Sequence, residues 1–268
     1  MIASPEATTH VRAVASGMLG SIHGLRGQTK RARPLLLESL TLARGIELAA
    51  MELLSTWGLA IVDQLAGAGE SAAGHCWSIL ERWKQTEDLH YAVSPLRWAT
   101  TFFAESGNGV GARTCAAALA RIAADSGQRE AMSALSHALG ESALLDGSAD
   151  QAAGHFAKAL SLLPSGDSPF DRAESERRAA AALTALGRRE EAIEHLVSAH
   201  RTARRLGARP TVQLVTTSLS ALGERAERRL SRRVLVQAAN GSLTRREIES
   251  SDWSPWATPV GRLPVSCS

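Results

Sequence analysis

The sequence predicts an all-α protein, and three observations support this prediction. Hydrophobic residues make up 44% of the 268 residues, but aromatic residues only 4%, fewer than a β-sandwich or barrel usually contains. Apolar residues recur at three- and four-residue spacing, as in Leu36 and Leu40, which is the pattern of a buried helix face. Glycines return at a forty-residue interval, at Gly27, Gly67, Gly107, Gly147 and Gly187.

Each forty-residue unit has the features of a helical hairpin. A glycine at the turn adopts the left-handed conformation that ends a helix without steric cost. The first helix carries a small residue at Gly20, Ala60, Thr100, Gly140 and Ala180. The second helix carries a small residue at Ala32, Ala72, Ala112, Ala152 and Ala192, and an apolar slot four positions later at Leu36, Cys76, Ala116, Phe156 and Leu196. Small residues that face one another let the two helices approach closely.

The segment with Ala152, Phe156, Ala159 and the closing Pro164 resembles the tetratricopeptide pattern. A single hairpin cannot bury its own apolar faces, so neighbouring hairpins must stack. We therefore expect an α-solenoid of about five tetratricopeptide-like hairpins over residues 1–222, in which Pro210 opens a last helix and Gly223 ends it.

The remaining residues are predicted to form two further segments. Residues 223–242 read as a basic helix or linker, whose arginines form a solvated helix face or contact a DNA backbone. From residue 211 onward the chain has eight Arg and five acidic residues, which accounts for its net charge of +3. Residues 243–268 begin like a helix-turn-helix, with Thr244 as N-cap and Glu247 three positions later.

These segments, in particular AAGHFAKALSLL, LSALGE and SLTRREIE, resemble the large ATP-binding LuxR-type transcription regulators of the MalT-like class. In that family an ATPase precedes a helical-repeat sensor and a C-terminal helix-turn-helix. The string GLRGQTK lacks the Gly-Lys-Ser/Thr of a phosphate-binding loop, so we expect no ATPase module and no cofactor in this chain.

The helix-turn-helix pattern stops after Glu249, where the sequence loses its helical period and continues with three prolines. Residues 250–268 can be written in permitted codons and then read in a frame shifted by one nucleotide. The second frame gives VLRLVAMGHSSREIARQLF, which resembles the missing part of the helix-turn-helix, including the start of the recognition helix. We therefore interpret 243–268 as a truncated, frameshifted remnant. Thr244, Arg245 and Arg246 are its candidate DNA-binding residues, but without the recognition helix we expect no specific DNA binding.

The inner face of the repeats is the candidate binding site. Stepping by forty residues along the first helices gives two polar rows, whose ligand-binding candidates are Trp57, Arg97, Thr101, His137, Glu141 and Arg177. Because the guanidinium group of arginine forms bidentate hydrogen bonds with carboxylates, we expect an anionic peptide or metabolite to bind there. The alternative is that these are ordinary solvated side chains.

Other chemistry is less well supported. His75, His155 and His195 share a repeat position, but no Cys or carboxylate completes a metal site with them, so polar surface is the preferred interpretation. No GxSxG motif or catalytic arrangement is evident, and we expect no enzymatic activity and no metal.

The sequence thus predicts the repeat region of a LuxR-family regulator that binds a protein or small effector in its groove. A stand-alone tetratricopeptide adaptor and a DNA-binding regulator are the alternatives. We expect a cytoplasmic location, no membrane span or signal peptide, and self-association through exposed apolar faces.

Overall fold

The computed structural model describes residues 5–163 and 168–224, and within these ranges all regular structure is helical. The eleven α-helices are α1 (Pro5–Leu25), α2 (Thr29–Gly45), α3 (Ala49–Leu65), α4 (Gly69–Arg82), α5 (His90–Glu105), α6 (Gly109–Ser126), α7 (Arg129–Leu145), α8 (Ala149–Leu162), α9 (Pro169–Ala185), α10 (Arg189–Leu206) and α11 (Arg209–Ala221). A short 3₁₀ turn, Trp83–Gln85, follows α4. The all-α prediction is confirmed for this part of the chain.

The predicted glycines lie at the turns between paired helices. Gly27, Gly67, Gly107, Gly147 and Gly187 all have φ between +71° and +77°. The residue after each glycine donates its N–H to a carbonyl five positions back, as from Gln28 to His23 at 2.8 Å. This hydrogen bond is the signature of a Schellman C-cap, so the forty-residue glycine spacing does mark the hairpin turns.

Three turns between successive hairpins, those after α2, α6 and α10, also contain a residue with positive φ, which the sequence analysis did not anticipate. Gly127 and Gly207 have φ of +63° and +70° after α6 and α10. At the corresponding place after α2 stands Glu47, with φ +53°, a conformation that is unfavourable for a residue with a Cβ. The helix-ending signal therefore recurs about every twenty residues along much of the described chain.

Close packing between paired helices depends on the predicted small residues. A Cβ added to Gly20 would lie 2.7 Å from the Leu36 side chain, and one added to Gly140 would lie 2.8 Å from the Phe156 ring. The five alanines predicted to face the first helices are fully buried, at positions 32, 72, 112, 152 and 192. The two helices of a pair thus approach as closely as the small residues permit.

Successive hairpins pack in chain order. The first helices contact one another in sequence, α1 with α3, α3 with α5 and α5 with α7, and each also packs against its own second helix. The largest apolar cluster lies in the middle hairpins and includes Leu96, Phe103 and Ile122. This arrangement is consistent with a helical-repeat fold.

The turn after α1 lies against the turn after α10. Arg26 Nε donates a hydrogen bond to the Leu206 carbonyl at 3.2 Å, across 180 positions of sequence. A Cβ added to Gly27 would lie 3.0 Å from the Pro210 ring. We call these contacts the α1–α11 junction; they bring the first hairpin beside the last described helix.

The chain divides into two units, residues 1–223 and 224–268. The last described helix begins at Arg209, one residue before the predicted Pro210, and Gly223 follows its end with φ +74°. Pro164, the basic segment and the helix-turn-helix remnant, including Thr244, Arg245 and Arg246, lie outside the described residues. Among the helices that are described, none combines the length and hydrophobicity needed to cross a membrane.

Candidate functional site

A cavity of about 550 Å³, open to solvent along part of its rim, lies in the first unit between five helices. Its walls come from α3, α5, α9 and α11, and the end of α1 completes it beside the α1–α11 junction. The lining residues are Gly24, Leu25, Trp57, Ile61, Gln64, Leu65, Arg97, Trp98, Thr101, Phe102, Glu105, Phe170, Asp171, Glu174, Arg177, Pro210, Thr211, Gln213, Leu214, Thr217 and Ser218. The volume is in the range of small-molecule sites.

One part of the cavity wall is aromatic. The rings of Trp98 and Phe102, one turn apart on α5, stack with centroids 5.6 Å apart and planes inclined by 13°. Trp57 on α3 and Phe170 at the start of α9 also line the cavity. Helix periodicity places the two stacked rings on one face, because residues four positions apart are neighbours on a helix surface. They make this part of the wall aromatic and apolar.

Arg97 forms the centre of the polar wall. Its side chain is 4% exposed, and Nη1 donates to Asp171 Oδ1 at 2.7 Å. Nη2 donates to the Ser175 hydroxyl at 2.7 Å and to the Asp171 carbonyl. The guanidinium thus holds α5 against α9, and its charge is matched by a carboxylate.

Arg177 is likewise enclosed by acidic partners. It donates to Glu105 at 2.8 Å and to Glu174 at 2.9 Å. Burial acts to raise the pKa of Glu174, but the Arg177 charge and hydrogen bonds from Arg177 and Thr211 lower it below its usual value. Burial opposes the charge of Arg177, but Glu174 and Glu105 raise its pKa. Both groups are therefore ionised and paired.

A second polar chain lies behind this wall, centred on His137. Thr101 Oγ1 is 2.8 Å from His137 Nε2 and 3.2 Å from Glu141 Oε1. On the other side of the ring, Ser175 Oγ lies 3.1 Å from His137 Nδ1. Arg178 completes the chain by donating from Nε and Nη2 to the two oxygens of Glu141, at 2.7 and 2.5 Å.

These contacts assign the protons of the chain. Burial lowers the pKa of His137 to about 4, and the nearby Arg97 charge acts in the same direction, so the ring is neutral at pH 7. Nδ1 faces two donors, Arg97 and Ser175, and therefore accepts. Nε2 then carries the hydrogen and donates to Thr101, whose hydroxyl donates to Glu141. Every member of this buried chain has a partner, as buried polar groups require.

The charges that line the cavity do not balance in favour of an anion. Two guanidiniums, Arg97 and Arg177, face three carboxylates, those of Glu105, Asp171 and Glu174. Arg178 behind the wall is shared between Glu105 and Glu141. The described lining therefore carries a slight excess of negative charge.

Two hydrogen-bond donors in the cavity wall lack a partner within the described structure. They are Nε1 of Trp57 and Nε of Arg97, from equivalent positions on neighbouring helices. A buried donor without an acceptor is costly. Such groups in a native protein call for a water molecule or a ligand.

The six predicted ligand-binding residues lie in one region of the structure, but only four of them line the cavity. Trp57, Arg97, Thr101 and Arg177 line the cavity. His137 and Glu141 do not line it; both are fully buried and paired behind the wall. Ligand binding by all six residues stays a prediction, and the polar rows are an internal network here, unlike the solvated surface of the alternative.

The sequence did not reveal the acidic partners of Arg97 and Arg177. It also did not reveal that residues of α11 line the cavity. Asp171, Glu174 and Arg177 are spaced by three residues on α9, a pattern that places two acids and a base on one helix face. That spacing could have indicated paired charges. For the α11 residues, such as Thr211 and Leu214, the forty-residue pattern gives no comparable signal, because their place in the cavity depends on the α1–α11 junction.

The other clusters of His, Cys and acidic residues give weaker support for a functional site. In the described part of the chain no group of three His, Cys, Asp or Glu residues could hold a metal ion. His75, one of the aligned histidines, lies 3.3 Å from Asp63 in the same hairpin. Cys76 and Cys115 are free, buried thiols of the middle core. The cavity is therefore the strongest candidate site.

No protein-family model matches the chain, and no curated protein matches it at a significant level.

Proposed function

We propose that the helical-repeat unit is a binding module that holds a small organic effector in the cavity. The observation that carries the proposal is the cavity itself, about 550 Å³ in volume and walled by five helices. Two of its lining residues, Trp57 and Arg97, each have a buried donor without a partner among the described residues. An apolar pocket with a few convergent polar groups is the usual form of a ligand site. The proposal assigns binding to this unit, and no catalysis.

The α1–α11 junction favours a small molecule over an extended peptide. A peptide groove along a helical-repeat protein is open at both ends, so that a chain can run through it. Here Arg26 bonds Leu206 and Gly27 lies against Pro210, so the first turn and the last described helix meet beside the cavity. The protein-binding adaptor of the sequence analysis is accordingly the less supported function.

The proposed role is sensing. Helix α11 lines the cavity and is the last described helix before residues 225–268, which begin with an arginine-rich segment. An effector that contacts α11 would bias the position of this helix relative to α3 and α5. The resemblance to LuxR-type regulators supplies the context for this proposal, namely the sensor region of a transcription regulator.

The proposal is tested with the full chain and the neutral fluorescent probe N-phenyl-naphthylamine. Thr217 and its neighbour Thr216 on α11 are both exposed, but only Thr217 lines the cavity. We expect saturable binding that Thr217→Trp weakens at least about tenfold because the indole fills the cavity. Thr216→Trp is the matched control and should leave the affinity unchanged. Equal affinity in the two variants would contradict binding at this site.

A further inference from the structure

We propose that the cavity selects an uncharged, planar, largely apolar ligand that carries a hydrogen-bond acceptor, and that it discriminates against anions. This inference rests on the proposed function and deepens it by naming the class of ligand. It replaces the anionic ligand that the sequence alone favoured, since the sequence shows arginines without showing what they are paired with.

The first argument is the state of the arginines. Arg97 is bound by Asp171 and Ser175, and Arg177 is bound by Glu105 and Glu174. To bind either arginine directly, an anion would have to displace Asp171 or Glu174 and leave that half-buried carboxylate without its guanidinium partner, which is unfavourable. If it displaced none, it would approach three carboxylates and two guanidiniums that are already engaged.

The second argument is the shape of the apolar wall. The stacked rings of Trp98 and Phe102 form an aromatic wall on α5, and the Trp57 indole stands on the neighbouring helix α3. Ile61 and Leu214 add aliphatic contacts from α3 and α11. Aromatic rings favour offset stacking with other planar groups, so a flat ligand makes better contact here than a branched one.

The third argument is the pair of unsatisfied donors. Arg97 is 4% exposed, and its Nε–H has no acceptor among the described residues; the same holds for Trp57 Nε1–H. Both atoms are buried in this conformation, so a carbonyl, ether or ring-nitrogen acceptor on the ligand would satisfy one of them after a small shift of the side chain. A neutral acceptor does so without bringing the charge that the carboxylates oppose.

The charge selectivity is tested with two probes that share one carbon skeleton. Anilinonaphthalene sulfonate differs from N-phenyl-naphthylamine by a single sulfonate group. We expect the neutral probe to bind the full chain at least about tenfold more tightly than the anionic one. Glu174→Gln keeps the shape of the side chain and removes one negative charge, so it should raise the affinity for the anionic probe several-fold relative to that for the neutral probe.

The control for this substitution is Glu191→Gln, which removes an exposed carboxylate outside the cavity lining. It should change neither probe. Because Glu174 is buried, Glu105→Gln provides a second lining variant with the same expected direction, and circular dichroism reports whether either variant is folded. An anionic probe that binds as tightly as the neutral one would overturn the selectivity.

The acceptor requirement is tested with the naphthyl ketone dye prodan. Trp57→Phe keeps an aromatic ring but removes the N–H donor, so it should weaken prodan about fivefold while changing N-phenyl-naphthylamine much less. An equal loss for both dyes, or no loss for either, would overturn the acceptor requirement. The two levels of the proposal stay separable, since probes insensitive to Thr217→Trp would refute the cavity site itself.

Discussion

His137 and Glu141 lie one turn apart on α7, with Nε2 3.4 Å from Oε1, and both side chains are fully enclosed by protein. The two side chains differ in charge: the His137 ring is neutral, and the Glu141 carboxylate is ionised. Burial lowers the pKa of His137 to about 4. Burial alone would raise the pKa of Glu141, but its contact with the His137 Nε2–H, which is shared with Thr101, and the hydrogen bonds and charge of Arg178 lower it to about 2.

The first prediction is a loss of stability in mild acid. Below pH 6.5 the unfolded chain protonates His137, whereas the folded chain does not until about pH 4. The free energy of unfolding should therefore fall as the pH drops from 6.5 to 4, by up to about 3 kcal/mol from this residue. Glu141 extends the loss below pH 4.5, since its folded pKa is about 2.

Urea unfolding measured between pH 7.5 and 4 checks this prediction in the chain and in His137→Gln. The variant should be less stable at neutral pH but show a shallower dependence on pH. Burial also lowers the pKa values of His195 and His200, so the slope should shrink without vanishing. The same slope in both proteins would contradict a neutral buried His137.

The second prediction concerns the left-handed turns. Glu47 has φ +53° where the other described turns of this type have glycine. Glu47→Gly should stabilise the fold by about 0.5–1 kcal/mol, because it relieves the steric cost of a Cβ at positive φ. Gly67→Ala should destabilise it by about 1 kcal/mol or more; φ is +77° there, and the added Cβ meets no atom within 4 Å. Thermal unfolding of both variants decides, and a neutral Gly67→Ala would contradict the argument.

The third prediction concerns the contact between Gly140 and Phe156. Gly140→Ala should destabilise the fold by about 1–3 kcal/mol, because the new methyl group would lie 2.8 Å from the ring. Gly154→Ala on the partner helix α8 meets nothing within 4 Å and should be stabilising by about 0.5–1 kcal/mol. A double-mutant cycle with Phe156→Leu should show that the smaller side chain recovers part of the loss. Additive effects would contradict the contact.

The fourth prediction concerns the thiols. Burial raises the pKa of Cys115 to about 12, and it raises that of Cys76 as well. In Cys267→Ser, where these two are the remaining thiols, a disulfide reagent at pH 8 should react only after unfolding, since the thiolate is the reactive form. Labelling followed with and without urea measures this. Rapid labelling of the native protein would contradict the placement of these cysteines in the core.

The fifth prediction concerns the gene. If residues 250–268 are read from a shifted frame, the nucleotide sequence after the Glu249 codon encodes a recognition helix in the alternative frame. Sequencing this region checks it. A second frame without the string REIA would refute the interpretation of 243–268 as a remnant.

The fold was largely predictable from sequence because its determinants are local. The glycine turns and the small residues that face each other, such as Gly140 with Phe156, follow from regular spacing within a hairpin. Glu47 was not recognised as a turn of the same type, because a glutamate gives no sequence signal for positive φ.

The site was predictable only in part. The forty-residue register correctly predicted that Arg97 and His137 lie on neighbouring helices. In the structure Arg97 Nη2 is 3.3 Å from His137 Nδ1. It did not reveal Asp171, which pairs with Arg97 across 74 positions, because that contact depends on how far the hairpins rotate about one another. The same rotation decides that Glu141 is enclosed by Arg178 and is not open to the cavity.

The α1–α11 junction has a dynamic consequence. One hydrogen bond from the exposed Arg26 and the contact of Gly27 with Pro210 hold together two turns that are far apart in the chain. The packed cores on either side contain many more apolar contacts. Local opening should therefore occur first at the α1–α11 junction. Backbone amide hydrogens should exchange with solvent faster there than within α3 or α5. Opening there would widen the mouth of the cavity, which is already lined by the exposed Leu214, so larger molecules would be admitted only while the two turns are apart.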